Sequence, residues 1–377
     1  MQKPLCHNAN VSFAVTLLSG VIGGVLFMLL RLPVPWLLGP MLAVLIGSNV
    51  TKVRFNWPAA VRNTGMMTVG YTIGLAMTAT ALKEIYSELP SMLMMTSALI
   101  ALCAGIAAVV ARLTGIDYKT VLLGSIPGGL TQMIILAEET KGIDITVVTV
   151  IQVIRLMMII ISVPLLVFGP LSGIPGGAPD AAPALASAHA DWSGLFPGII
   201  LFAAMCVVCA FAGSKVNFPT PYLLGPAIGT AALQIAGLSG PALPSTLLAA
   251  AQLMIGVYVG LLLKPANLQH KLRTLLLAVL SSVLLITGAW LLSLLLELSS
   301  GASPATALLS TAPGGMDQMG LIAHEVNADL PMVAGYQLFR TFFIFFAIPP
   351  LLKLFFRVGS RVQVQAEGQR QAERQAK

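Results

Sequence analysis

Long apolar runs alternate with short polar segments over nearly the whole chain. Most runs are close to the ~20 residues that an α-helix needs to cross the hydrocarbon layer of a membrane. The pattern predicts ten spans, at 11–30, 33–50, 64–80, 92–112 and 146–168 in the first half and 194–213, 219–238, 246–263, 274–296 and 332–353 in the second. No Ala-x-Ala cleavage site follows the first run, which indicates a retained span. The predicted fold class is an all-α integral membrane protein.

Two further apolar segments, at 121–136 and 307–322, are interrupted near their centres. The interrupting residues are Pro127, Gly128 and Gly129 in the first segment and Pro313, Gly314 and Gly315 in the second. Proline has no amide hydrogen to donate and glycine is flexible, so a continuous helix is disfavoured at both places. We expect each segment to form either a re-entrant helix or a broken helix that crosses the membrane.

The two halves of the chain repeat one another at an offset of 185 or 186 residues. The matching segments are 35–40 with 221–226, 125–133 with 311–319, and 152–155 with 337–340. Several matches in one register indicate an internal duplication. We divide the chain into a first membrane repeat at 1–168, an Ala/Pro/Gly-rich linker at 169–193, a second membrane repeat at 194–358 and a polar cytoplasmic tail at 359–377.

The basic residues predict how the repeats are oriented. If the interrupted segments re-enter, each half crosses the membrane five times and the halves are inverted; 17 of the 21 Lys and Arg residues then share the side of the N-terminus, and two lie opposite. If these segments cross, the division is 12 against 7. Because cytoplasmic loops are enriched in Lys and Arg, the first arrangement is favoured. We predict two inverted five-span repeats with both termini in the cytoplasm, and full crossing stays the alternative.

Composition narrows the function classes. The chain is 57% hydrophobic and only 9% charged, against about 25% charged in soluble domains, so lipid is its expected surroundings. The net charge of +7 does not form a basic stripe with interleaved aromatic residues, and no nucleic-acid partner is predicted. Cys206 and Cys209 have CxxC spacing, but no second pair of ligands follows, and the four histidines are not grouped as metal ligands. Neither a metal nor another cofactor is therefore expected. There is no P-loop motif for ATP binding.

Two arginines lie inside predicted spans, where a charge is costly and indicates function. Gln152 precedes Arg155 by three residues and Gln337 precedes Arg340 likewise, so each pair shares a helix face. A guanidinium group suits a carboxylate or phosphate. One hypothesis is an anion site made by both halves. The other is that each arginine pairs internally, with a backbone carbonyl of the interrupted segment, with Glu139 or with Glu325.

One acidic residue makes the repeats unequal. Asp317 stands where the first half has Thr131, and it could bind a coupling ion, H⁺ or Na⁺, or pair with Arg340. Glu139 and Glu325 match one another across the repeat but lie near segment ends, where solvation is the simpler interpretation. The predicted substrate site comprises Pro127, Gly128, Gly129, Gln132, Gln152, Arg155, Pro313, Gly314, Gly315, Asp317, Gln318, Gln337 and Arg340.

The duplicated Pro-x-x-Leu-Gly-Pro, Ser/Thr-x-Pro-Gly-Gly and Gln-x-x-Arg segments resemble those of the bacterial AbrB family of membrane proteins, over nearly the whole chain. The resemblance implies a multi-pass protein of the inner membrane, in a family often labelled an ammonia monooxygenase or a regulator of gene expression. It is distinct from the small DNA-binding regulator of the same name. It implies no catalytic residue.

Inverted repeats with broken segments are typical of secondary transporters. We therefore expect a secondary transporter of a small metabolite across the bacterial inner membrane, and an anion is the substrate if the arginines bind it. The alternative is a membrane sensor that affects gene expression indirectly, although the tail of about 20 residues is short for an output module. A membrane enzyme is disfavoured because metal ligands and a nucleophile are lacking. The substrate and the oligomeric state cannot be read from the sequence.

Overall fold

The structure, a computed structural model, describes residues 9–51, 54–128, 130–140, 142–169, 196, 198–216, 218–262 and 271–375. Within these ranges the chain forms fifteen helices. They are α1 (Ala9–Leu29), α2 (Pro35–Val50), α3 (Ala59–Ala76), α4 (Ala79–Ser87), α5 (Leu89–Thr114), α6 (Tyr118–Ser125), α7 (Leu130–Glu139), α8 (Ile145–Phe168), α9 (Gly198–Lys215), α10 (Pro221–Ile235), α11 (Ser245–Leu262), α12 (Lys271–Ser300), α13 (Pro304–Thr311), α14 (Met316–Glu325) and α15 (Leu330–Gln375). The predicted linker at 169–193 lies outside the described residues except for Gly169.

Seven helices in the described ranges are long and apolar enough to cross a membrane, and a bent pair of helices would make an eighth. The seven are α1, α5, α8, α9, α11, α12 and the Leu330–Leu352 part of α15. Helices α2 and α10 have 16 and 15 residues and are shorter than the spans predicted there. The chain therefore has the architecture of a multi-pass helical membrane protein, and the count of ten crossings stays a prediction.

The outer helices expose apolar side chains to the surroundings. Leu29 on α1 is 72% exposed and Leu298 on α12 is 84% exposed. Burial of one such side chain away from water is worth roughly 1.5–3 kcal/mol. Lipid around these helices would remove that cost.

Helices α3 and α4 form the bent pair, with an angle of 85° between them. The break follows Ala76, and Thr78 caps α4 by accepting a hydrogen bond from the backbone of Ala81. The sequence pattern predicts one span at 64–80 and misses α4. This short helix contains Lys83 and Glu84, so it lacks the apolar run by which a span is recognised.

The repeated sequence folds into repeated backbone geometry. Val34 before α2 and Thr220 before α10 both adopt left-handed conformations, with φ of 47° and 45°. A proline follows each of them as the first helical residue, where its fixed φ suits a helix start. Gly115 after α5 and Gly301 after α12 also share a left-handed conformation, with φ of 69° and 66°. The halves therefore match in their turns as well as in their sequence.

The two halves interlock through small residues. Gly70 and Gly74 on α3 pack against α10 of the second half, and Gly256 and Gly260 on α11 pack against α2 of the first. A Cβ atom added at any of the four would meet a backbone carbonyl of the partner helix. Glycine allows this close helix approach, which is common between membrane helices. Each half thus completes its packing with helices of the other.

Both interrupted segments form two short helices separated by a break. The first is α6 followed by α7, and the second is α13 followed by α14. The breaks occur at the Pro-Gly-Gly residues, as the sequence predicts. Helix α15, by contrast, continues without interruption to Gln375. The predicted boundary between the second repeat and the tail, at 358, therefore falls inside a helix.

Candidate functional site

The first break leaves carbonyl groups without helical partners. Helix α6 begins after Asp117, whose carboxylate accepts a hydrogen bond from the backbone of Lys119 at 3.0 Å, and it ends at Ser125. The last carbonyls of any helix have no partner within it. Residues at this end of α6 are buried, and buried carbonyls in a membrane protein require donors from elsewhere.

Gln152 and Arg155 of α8 supply those donors. Nε2 of Gln152 donates to the carbonyls of Leu123 at 2.8 Å and Ile126 at 3.0 Å. One terminal nitrogen of Arg155 donates to the Ile126 carbonyl at 2.7 Å and, at longer range, to the two preceding carbonyls. The other donates to Oε1 of Gln152 at 2.7 Å. The positive guanidinium group therefore faces the negative end of the α6 dipole.

The second break is held in the same way by α15. Nε2 of Gln337 donates to the carbonyls of Leu309 at 2.7 Å and Ala312 at 3.2 Å. One terminal nitrogen of Arg340 donates to Ala312 at 2.7 Å. The other donates to the carbonyl of Gly314 at 2.9 Å and to Oε1 of Gln337. Arg340 thus joins two separate points of its break, whereas the carbonyls that Arg155 binds among the described residues all precede Pro127.

Each arginine accordingly pairs with backbone carbonyls of its own break, as the second of the two hypotheses expects. Glu325, offered as another partner, instead accepts a hydrogen bond from Gln252 at 2.7 Å. The side chain of Glu139 lies outside the described residues. Direct contact of either arginine with a substrate stays a prediction.

The two breaks are also joined across the halves. A Cβ at Gly128 would lie 3.2 Å from Cγ2 of Ile344 on α15, and one at Gly314 would lie 3.1 Å from Cγ2 of Ile159 on α8. Each break thus contacts the last helix of the opposite half. The two guanidinium groups are close enough to repel one another, and both act electrostatically on Cys103 of α5.

The loops that follow the broken helices are fixed by matching contacts. The backbone amide of Asp144 donates to the hydroxyl of Thr120 at 3.3 Å, and that of Asp329 donates to the hydroxyl of Thr306 at 3.1 Å. Each aspartate then caps the helix that carries the arginine. The break, its arginine and the connecting loop therefore form one unit in each half.

Asp317 makes the second break different, whereas Gln318 beside it matches Gln132 of the first half. Asp317 is 6% exposed, and its Oδ2 accepts a hydrogen bond from Nε2 of Gln318 at 2.8 Å. Within the described part of the chain, Asp317 is not among the hydrogen-bond acceptors of Arg340. Arg62 of α3 is the basic residue that acts on it electrostatically. The pairing of Asp317 with Arg340 that the sequence left open is therefore not formed.

Four buried polar atoms around the breaks have no hydrogen-bond partner within the described residues. They are Oγ of Ser125, Nε of Arg155, Oγ of Ser310 and Oε1 of Gln318. Buried polar groups in proteins are nearly always paired. Because these four atoms all lie at or beside the two breaks, a bound ligand or water there would complete their hydrogen bonding.

Several polar residues near the second break were missed by sequence reasoning. Arg62 lies over the ring of Tyr258 on α11, with its guanidinium carbon 4.5 Å from the ring centroid. Gln252, the partner of Glu325, is only 2% exposed. A glutamine within the predicted span 246–263 was the available signal, because an uncharged polar residue in an apolar run is rarely left unpaired.

The remaining predicted site residues form the breaks themselves. Pro127, Gly128, Pro313, Gly314 and Gly315 all lie between the short helices. Gly129 and the side chain of Gln132 lie outside the described residues. In the ranges that the structure covers, no three His, Cys, Asp or Glu residues come together as metal ligands.

Comparison with known proteins gives one family. The profile of the family described as "Transition state regulatory protein AbrB" matches residues 36–356. The chain is 24% identical to "Uncharacterized protein YhjN" of Bacillus subtilis, over 88% of this chain and 90% of that protein. It is 28% identical to "Putative regulator AbrB" of Escherichia coli, over 87% of this chain and 91% of that protein. The chain therefore belongs to the AbrB family.

Proposed function

We propose that this protein is a secondary transporter of a small anionic metabolite across the bacterial inner membrane, with its substrate site between the two helix breaks. The observation that carries the proposal is the pair of buried breaks, each closed by a Gln-x-x-Arg helix of its own half and touching the last helix of the other half. Broken helices near the midplane, contributed by two repeats, are a recurring design for transporter substrate sites.

The charge of the interior supports an anion as substrate. Among the described residues, the buried side chains that carry a full charge are Arg155, Arg340 and Asp317. Two positive groups against at most one negative group leave an excess of positive charge. Such an excess is costly in a region of low dielectric constant, and a bound anion would reduce it.

The arginines serve this site in two ways. Their terminal nitrogens donate hydrogen bonds to carbonyls of the breaks and so stabilise them. Neither guanidinium group is therefore free to bind a substrate through both of its terminal nitrogens. Nε of Arg155 is buried and has no hydrogen-bond partner among the described residues, so it is a donor available for an anion. The first turn of α7 adds backbone N–H groups of the kind that helices leave unpaired at their starts. In α14 the backbone amides of Asp317 and Gln318 interact instead with the Asp317 carboxylate.

The uptake test uses purified protein in liposomes. Labelled succinate, citrate, glutamate, phosphate and methylammonium would be offered one at a time, with protein-free liposomes as the background. We expect saturable uptake of at least one of the anions and none of methylammonium. Uptake confined to methylammonium would contradict an anion site, and absence of all uptake would contradict transport of these substrates.

Membrane topology is tested separately. We propose inverted five-span repeats with both termini in the cytoplasm, because this arrangement places most Lys and Arg residues on one side. Reporter tags near Pro183 and at the C-terminus should then lie on opposite sides of the inner membrane. The same side for both tags would exclude an odd number of crossings in the second half.

A sensor is the second candidate function. The family description and the name of the Escherichia coli relative both refer to regulation. Helix α15 carries Arg340 and runs on without a break to Gln375, so a ligand at the break could shift a helix that reaches beyond the apolar span. Deletion of residues 359–377 separates the candidates: a transporter keeps its uptake, whereas a sensor binds its ligand but loses its effect on gene expression.

A further inference from the structure

The second break contains a buried polar pair in addition to the Gln337 and Arg340 contacts that hold it. Asp317 and Gln318 lie in the first turn of α14 and are 6% and 4% exposed. Nε2 of Gln318 donates to Asp317 at 2.8 Å, and Oε1 of the same amide is buried without a partner among the described residues. The first break has Thr131 at the position of Asp317. The carboxyl group is therefore an addition to a scaffold that closes without it.

This pair can form a hydrogen bond whether or not Asp317 carries a proton. An ionised carboxylate only accepts, and it then takes the N–H of Gln318, as observed. A protonated carboxyl group donates its O–H, and rotation of the Gln318 amide would present Oε1 to receive it. The unpaired Oε1 is thus the acceptor that the protonated state requires. An amide beside a buried carboxyl group allows both states to exist in the same place.

The charged groups around Asp317 are compatible with a change in its protonation state. The titratable residues whose side chains are described on the helices around α14 are Arg62 and Tyr71 on α3, Tyr258 on α11, and Tyr336 and Arg340 on α15, while α13 has none. Helix α14 itself also carries His324 and Glu325. Tyr71, Tyr336 and Glu325 have hydrogen-bond partners elsewhere, and His324 is exposed. Arg340 is held by carbonyls of the break. Arg62 therefore acts on Asp317 without neutralising it through a direct ion pair.

We propose that Asp317 carries the coupling proton of a proton–anion symporter, with Gln318 as its positioning residue. The inference rests on the proposed transport function and adds the coupling ion. An anion bound between the breaks repels an ionised Asp317, so anion binding favours protonation of this carboxyl group, and protonation favours anion binding in equal measure. The proton and the anion bind together on one side and leave together to water on the other.

A proton fits these residues better than a metal cation. Hard cations take six or more oxygen ligands as a rule. Within the described parts of the chain, Asp317 does not belong to a group of three or more His, Cys, Asp or Glu residues. A proton needs only the carboxyl oxygen that accepts it and the amide oxygen that receives the resulting hydrogen bond.

The test compares Asp317→Asn with Asp329→Asn in proteoliposomes, using the labelled anion that wild type takes up fastest from the five-compound screen. Asp329 is exposed and caps α15, and asparagine caps a helix as well as aspartate. We expect an inwardly directed proton gradient, with the outside more acidic than the inside, to drive accumulation of the anion by wild type and by Asp329→Asn. Asp317→Asn should lose at least tenfold of this accumulation while it still exchanges internal for external anion, because asparagine imitates the protonated state.

The outcomes separate the two proposals. Accumulation by Asp317→Asn at the wild-type level, or wild-type accumulation driven by a sodium gradient and not by a pH gradient, would overturn the proton assignment and leave transport standing. Loss of exchange in a folded Asp317→Asn would also overturn it, because the residue would then bind substrate. If wild type moves no anion, the transport proposal fails and this inference fails with it.

A measurement without substrate checks the same residue. Infrared difference spectra of the purified protein, recorded between acidic and alkaline sodium-free buffer, should contain a carboxylic acid C=O band that is absent in Asp317→Asn and present in Asp329→Asn. Gln318→Met removes the donor to the carboxylate, and it should move the pH profile of uptake to higher pH. An unchanged band in Asp317→Asn, or an unchanged profile in Gln318→Met, would contradict the assigned role of that residue.

Discussion

The two helix breaks have the same backbone design and different chemistry. In both, a glutamine and an arginine three residues apart donate to the carbonyls that the first short helix leaves free. In the first turn of the helix that follows, the second break has an acidic residue, Asp317, where Thr131 stands in the first. Its arginine also reaches the carbonyl of Gly314, whereas Arg155 keeps a buried Nε without a partner in the described structure.

The contacts that occur in both breaks are required by the fold, whereas the acidic residue that occurs in one break is an addition in that half. The Gln-x-x-Arg contacts occur twice because each break must satisfy its carbonyls, whichever half contains it. Asp317, which lies beside Gln318, occurs in the second break only, and it satisfies no carbonyl. Substitutions at the residues that both halves share should therefore have similar effects in the two halves. Substitutions that affect Asp317 should change transport, without an equivalent effect at the matching position of the first half.

The largest and most symmetrical effect is expected at the glycines where the halves interlock. In Gly74→Val and Gly260→Val the new side chain would meet backbone atoms of the opposite half, which cannot move aside as a side chain can. We expect each variant to lose about 3 kcal/mol or more of stability, measured by ligand-free thermal unfolding in detergent. Gly105→Ala on α5, where a Cβ meets nothing within 4 Å, is the control. A large loss in one variant and none in the other would contradict matched packing.

The next effect concerns the arginines. Lysine keeps the charge but cannot donate from two terminal nitrogens at once. Arg155→Lys and Arg340→Lys should each lose charge-assisted hydrogen bonds worth roughly 1.5–3 kcal/mol, seen as ligand-free destabilisation. The loss should be greater in Arg340→Lys, because Arg340 joins two points of its break. Unchanged melting of both variants, with weaker anion binding, would show that the arginines act on the substrate and not on the breaks.

Substitutions within the second break distinguish scaffold from added chemistry. A Cβ at Gly314 would meet the flexible end of Met319, so Gly314→Ala should keep most uptake. A Cβ at Gly315 would displace the side chains of Asp317 and Gln318, and Gly315→Ala should lose uptake about tenfold, equivalent to roughly 1.4 kcal/mol. The bulkier Gly128→Leu and Gly314→Leu should both abolish uptake without preventing membrane insertion. Equal uptake by the two alanine variants would contradict a special role for the Asp317 pair.

The smallest effect is expected at Tyr336, the residue before Gln337. Its hydroxyl lies 2.7 Å from that of Ser91 and donates to Glu88 at 3.0 Å. The first half has Ile151 at the matching position, so this tie is found in one half only. Tyr336→Phe should cost about 1 kcal/mol in thermal unfolding, and Phe339→Leu serves as a nearby control without a hydroxyl. A Tyr336→Phe protein as stable as wild type would show that the tie contributes nothing.

Much of the architecture follows from local signals in the sequence. Pro-Gly-Gly ended the short helices where predicted, because these residues act on the backbone whatever surrounds them. The prolines at 35 and 221 began α2 and α10 for the same reason. The apolar pattern placed a helix under each of the ten predicted spans, but it missed α4, whose polar residues conceal it.

The candidate site was less accessible from sequence, because its chemistry depends on partners far apart in the chain. The sequence placed Arg155 and Arg340 inside the apolar layer but could not choose between a substrate and the carbonyls of a break about 30 residues earlier. The unpaired hydroxyls of Ser125 and Ser310 had no signal at all, since serine is common in apolar helices and its bonding is set by packing. Arg62 looked like a loop residue and instead acts on Asp317.

The most direct measurement is a cryo-electron microscopy structure with the transported anion bound. The central claim is that one anion site lies between the two breaks and belongs to both halves. We predict ligand density within hydrogen-bond distance of Nε of Arg155, bordered by Gly128 and Gly314. This density should be absent from the structure of Arg155→Lys at the same anion concentration. Ligand density away from both breaks, with the polar atoms around them still unpaired or filled by water, would contradict the claim.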